Sequence, residues 1–133
     1  MLYVIQKGYN MVVPTPPENI VYCVSSVQHI LEQDLDFVFT DGHAVNGFSL
    51  QYTIKDIHNI DTIIDKKAIE TKYWIDENDL DIKRRKEAEF LVLGDISKEA
   101  ILGFITYNQQ TKNKIISFGG DSTKVFVKSE YYF

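Results

Sequence analysis

Lys83-Arg84-Arg85-Lys86-Glu87-Ala88-Glu89-Phe90-Leu91-Val92 places four positive charges directly before a strand-like apolar segment that holds two carboxylates. Aliphatic and aromatic residues with flanking loop signals predict a buried strand over Ala88 to Leu93. Period-two geometry then puts Glu87, Glu89, Leu91 and Leu93 on one face, with Ala88, Phe90 and Val92 on the other. A carboxylate in a strand that is apolar on both faces either stays hydrated at the strand's end or faces a cleft, where desolvation and charge partners tune it. The functional reading turns on that choice.

Around this run the chain has 133 residues, 44% of them hydrophobic and 13% aromatic, enough for one domain with a moderate core. Its formal net charge of -5 argues against a general nucleic-acid coat, which needs a basic surface, but leaves room for a local basic patch. Lys83 to Lys86 is that patch, and the stretch from Asp56 to Asp81 before it is acidic. No apolar stretch approaches the roughly 20 residues that span a bilayer, and Met1 to Lys7 lacks the features of a secretory signal. The expectation is a soluble cytoplasmic protein without a membrane partner. Cys23, the single cysteine, lies in the apolar segment Ile20 to Val24, so it reads as a buried thiol in a reducing compartment.

The order of elements points to an α+β fold, a mixed β-sheet with flanking short helices. Pro14, Pro16 and Pro17 enforce an extended connection, and a strand follows at Ile20 to Val24. Ser25 with Gln28 fits a capping box for a helix that ends near Gln33. Phe37 to Thr40 is a second buried strand, closed by the turn pair Asp41-Gly42, so His43 sits just beyond a strand end. The isoleucines between Lys55 and Trp74 predict one or two short helices broken near Asp61, with an irregular acidic loop after them. Strands resume at Ala88 to Leu93 and Ile101 to Tyr107. A polar helix or loop covers Asn108 to Asn113, Gly119-Gly120 turns the chain, and Lys124 to Lys128 is a half-exposed strand.

Several chemistries find no pattern here. His29, His43 and His58 are scattered outside any metal-ligand motif, and Cys23 has no charged sequence neighbour that would activate it. Gly119-Gly120-Asp121 lacks the lysine and the strand-to-helix context of a phosphate loop. What remains is Glu87 with Glu89. A fixed carboxylate stabilises positive charge at the anomeric carbon of a sugar and hydrogen-bonds its hydroxyl, so glycosyl transfer suits such a pair, but on the residues alone a solvated strand terminus is the commoner reading. Tyr73-Trp74 reads as the edge of a core or as a stacking surface for a base.

Thr40-Asp41-Gly42-His43, Tyr73-Trp74 and the run from Lys83 to Val92 together resemble DarT, the family of DNA ADP-ribosyltransferase toxins of bacterial toxin-antitoxin systems. Met1-Leu2-Tyr3-Val4-Ile5 is similar to an internal segment of that family, and Tyr131-Tyr132-Phe133 to its C-terminus, so the resemblance covers residues 1–133 as a single DarT-like domain, N-terminally incomplete. It implies a partial ADP-ribosyltransferase-like fold and NAD as co-substrate, with ADP-ribose transferred to a thymine in single-stranded DNA. A macrodomain antitoxin of the DarG type is the implied protein partner. By the same resemblance Glu89 is the catalytic glutamate, while His43 and Met1 belong to the DNA-binding site.

Two departures from the family pattern stand out. Glu87 replaces a glutamine common among relatives, and the histidine-containing NAD-binding segment and an arginine that activates the base have no counterpart. The expectation is therefore weak or no activity for the 133-residue chain alone, and the alternative is an inactive form that binds DNA or the antitoxin.

Overall fold

The computed structural model of the chain describes Ile5 and residues 7–132, so the expectation for Met1 lies outside the described residues. In chain order the main elements are β1 (Val21–Val24), α1 (Val27–Glu32), β2 (Phe37–Thr40), β3 (Gln51–Tyr52), α2 (Ile60–Ile63), α3 (Lys66–Glu70), α4 (Ile82–Lys86), β4 (Phe90–Val92), β5 (Gly103–Thr106), α5 (Gln109–Ser117) and β6 (Val125–Val127). They fall into two compact units, Met1–Asp34 with Ile96–Phe133, and Leu35–Asp95. The α+β class holds, with the strands in two three-stranded sheets, β1-β5-β6 and β3-β2-β4.

In the first unit β5 is central. It pairs antiparallel with β1, from Val21 opposite Thr106 to Val24 opposite Gly103, and parallel with β6, from Phe104 beside Val125 to Thr106 beside Val127. Gly103 lets the chain enter this sheet, because a Cβ there would lie 2.6 Å from the Lys124 carbonyl oxygen. Val125, Thr106, Ala100 and Tyr132 are buried. The Tyr132 hydroxyl lies 2.8 Å from the carbonyl oxygen of Ile105 and 3.1 Å from that of Ile20, tying the chain's last turn to β1 and β5. A buried phenol needs such partners.

The second unit carries His43 and Glu89. β2 lies between β3 and β4, antiparallel to both, with Phe39 opposite Tyr52 on one side and Phe90 on the other. That register makes an aromatic row: Phe37 stacks on Phe90 at 4.6 Å and Phe39 on Tyr52 at 5.3 Å. Phe37 and Phe39 are buried, and such pairs contribute about 0.5–1.5 kcal/mol each beyond their area. Alternation along β2 then sends Thr40, also buried, to the opposite face.

Several boundaries differ from those read in the sequence. The strand expected from Ala88 begins at Phe90, because α4 carries the chain through Lys86 and Glu87 closes that helix. Glu87 and Glu89 therefore do not share a strand face. The cap of α1 is Ser26, whose hydroxyl accepts from the His29 amide, while the Ser25 hydroxyl donates to Ala100. The isoleucine segment breaks after Ile63 rather than near Asp61, since Asp65 caps the next helix. Cys23 is exposed, because β1 pairs only with β5 and is an edge of its sheet. Tyr73 is 70% exposed and so closes no core edge.

Candidate active site

Every residue of the candidate site described below lies between Thr40 and Glu89. Thr40, the last residue of β2, fixes Glu89 by its main chain. The Thr40 amide donates to the Glu89 carbonyl at 2.9 Å, and the Glu89 amide donates to the Thr40 hydroxyl at 3.1 Å. The hydroxyl in turn donates to the Gly42 carbonyl at 2.6 Å. The bond pattern continues the β2–β4 ladder one residue past the strand, so Glu89 is held although it is not itself a strand residue.

The Glu89 side chain is half-buried, and its Oε2 accepts from the Ala44 amide at 2.9 Å. Its other oxygen accepts no hydrogen bond among the described residues. A carboxylate with one oxygen anchored and one available can take a ligand hydroxyl without losing its position.

Ala44 belongs to the loop from Asp41 to Leu50, which closes on itself. Asp41 Oδ1 accepts from the Leu50 amide at 2.8 Å and from Arg84 Nη1 at 3.1 Å. Within the loop the Asn46 amide donates to the His43 carbonyl and the Ser49 amide to the Asn46 carbonyl, both at 2.9 Å. The Val45 amide points at His43 Nδ1 at 3.3 Å, which leaves the proton of a neutral ring on Nε2. Phe48, at the far end of the loop, is 87% exposed.

The basic run forms α4, and three of its four charges are committed. Arg84 grips Asp81 through Nε at 2.8 Å and Nη2 at 2.7 Å while Nη1 reaches Asp41. The hydrogen bond to Asp81, reinforced by the charges of Asp81 and Asp41, raises the Arg84 pKa above its ordinary value. Asp81 is lowered in return by the same bond. Arg85 binds Asp65 and Asp79, with Asp81 at 3.4 Å. Lys86 donates to the carbonyl oxygens of Ile69 and Thr71 and lies 5.2 Å from the centre of the Trp74 ring. Lys83 alone of the four makes no ion pair, side-chain hydrogen bond or ring contact among the described residues, and it is exposed.

Between the loop and α4 runs an open groove of about 720 Å³. His43, Asn46 and Phe48 form one wall; Leu80, Lys83 and Glu87 are among the residues of the other. His43 and Glu87 thus meet at one groove, and Glu89, outside its lining, is bonded to the residue that follows His43. Sequence reading did not single out Thr40, Asp41 and Arg84 individually. The Asp41-Gly42 pair carried a turn signal, but nothing in the sequence links Arg84 to Asp41, 43 positions away.

A family model described as ssDNA thymidine ADP-ribosyltransferase, DarT, matches residues 1–133. The chain belongs to the DarT family. A DNA ADP-ribosyl transferase of Thermus sp. (strain 2.9) is 30% identical over 117 residues, which are 87% of this chain and 53% of that relative. The structure of Thermus sp. 2.9 DarT in complex with NAD+ superposes with a TM-score of 0.83 at 25% identity, covering 99% of this chain and 66% of that one. Thermus sp. 2.9 DarT in complex with ADP-ribosylated ssDNA gives 0.80, also at 25% identity, over 99% and 63%. The chain thus has the fold of DarT enzymes and spans about half the length of the first of these relatives.

Proposed function

We propose that this chain carries the catalytic glutamate of an NAD-dependent DNA ADP-ribosyltransferase that modifies a thymine base in single-stranded DNA. The observation that carries the proposal is the Glu89 carboxylate anchored to the His43 loop, in a chain that matches the DarT family from end to end. Glycosyl transfer from NAD breaks the bond between nicotinamide and its ribose and forms one from the same carbon to the base. Positive charge develops on the sugar as nicotinamide leaves, and a preorganised carboxylate stabilises that charge more than it stabilises the bound substrate. The available oxygen of Glu89 suits a ribose hydroxyl. Glu89 fits the nicotinamide-ribose end of NAD.

The groove suits a DNA strand: Lys83 can pair with a phosphate, Phe48 offers a ring on which a base can stack, and the Nε2–H of His43 can donate to a base carbonyl. Such an enzyme acts in the cytosol, where its DNA is, and is restrained there by a macrodomain antitoxin.

Nicotinamide release measured with oligonucleotides of different composition tests this reading. Release above background only when the oligonucleotide contains thymine, and its loss in Glu89→Ala, is the expected result. DNA binding with no release at all favours the non-catalytic alternative.

A further inference from the structure

We infer that Arg84 is a positioning residue, which sets the loop carrying His43 against Glu89, and that it is not a phosphate contact despite its place in the basic run. The inference deepens the transferase reading and rests on it only for its kinetic arm.

Arg84 bonds the loop at both ends. Nη1 donates to Asp41 Oδ1 at 3.1 Å and lies 3.4 Å from Ser49 Oγ, while the Arg84 carbonyl accepts from the His43 amide at 3.0 Å. The Asp41 oxygen that it holds is the one that accepts from Leu50, so one atom joins the helix to both ends of the loop. Gly42 marks the closeness of the fit: a Cβ there would lie 2.5 Å from Nη1 and 2.8 Å from Ser49 Oγ.

Little of the guanidinium is left for DNA. All three of its nitrogens already donate to protein partners, and its side chain is 13% exposed. Its charge is already matched by two carboxylates, Asp41 and Asp81, so little of it is left to attract an anion. Lys83, one residue earlier, lines the same groove with the opposite properties: it is exposed and unpaired among the described residues. The basic run thus divides its labour, with Lys83 facing the groove and Arg84 building it.

Amide hydrogen exchange on the 133-residue chain tests the positioning role without NAD or DNA. Arg84→Gln is expected to raise exchange at Ala44 and Leu50 at least ~10-fold, with Lys83→Gln leaving both amides as they were. Asp41→Asn keeps an oxygen for Leu50 but loses the ion pair, so it reports on the same link should Arg84→Gln fail to fold. Unchanged exchange in whichever of these variants folds overturns the inference.

Kinetics separate positioning from binding. Arg84→Gln is expected to lower kcat with KM for the oligonucleotide nearly constant, and Lys83→Gln to raise KM and flatten its salt dependence. An Arg84→Gln variant that behaves like Lys83→Gln contradicts the inference. Absence of transfer by the unsubstituted chain counts against the transferase reading and leaves the exchange result standing.

Discussion

Thr40 shows how much one buried hydroxyl can organise. It accepts from Glu89 and donates to Gly42, so the catalytic candidate and the turn before His43 share a single atom. Thr40→Val keeps the shape and removes that atom, leaving the half-buried Glu89 amide without its acceptor. The expected loss is about 1–3 kcal/mol, read as a lower denaturation midpoint at constant m-value. Glu89→Gln is the complementary change. It retains an oxygen for the Ala44 amide and loses the charge, so stability should move by less than about 1 kcal/mol while transfer falls about 100-fold or more. Loss of stability in place of activity would make Glu89 a structural residue.

At the scale of elements, α5 shows capping at work. Asn108 accepts from the Thr111 amide at 2.8 Å, and Asn108→Ala should cost about 0.5–2 kcal/mol in thermal or denaturant unfolding. That helix was legible as a polar helix or loop up to Asn113, but its extension to Ser117 was not, since few of its residues are apolar. β2 was legible from Phe37 to Thr40 because an aromatic, β-branched run ended in Asp41-Gly42. β4 was harder to read. Apolar periodicity over Ala88 to Leu93 carries no sign that two cations before it, Arg84 and Arg85, are drawn into a helix by Asp41, Asp65, Asp79 and Asp81. Those partners lie up to 43 positions away, and the pairing is a property of the fold. Glu89 was found by its resemblance to a family, and its bond to Ala44 needed the structure.

For the molecule as a whole, the paired charges and buried phenols set opposite ends of a stability profile. Asp81 sits below its ordinary 3.8 because Arg84 donates to it, so its contribution is complete above that pH and is lost as pH falls through the lower folded value. Tyr22 and Tyr132 are raised above 10.0 by burial, so theirs is complete below that pH and lost as pH rises through the folded value. Melting temperatures across about pH 2 to 11 should fall at both ends, and Asp81→Asn should blunt the acid limb alone.

No helix among the described residues is long and apolar enough to cross a membrane. The central claim remains the transfer of ADP-ribose to thymine by way of Glu89. Intact-mass spectrometry of a thymine-containing single strand, after incubation with NAD and this chain, tests it most directly. A gain of one ADP-ribose that disappears with Glu89→Ala is expected; an unmodified strand, or a gain that survives that substitution, would overturn the assignment of Glu89.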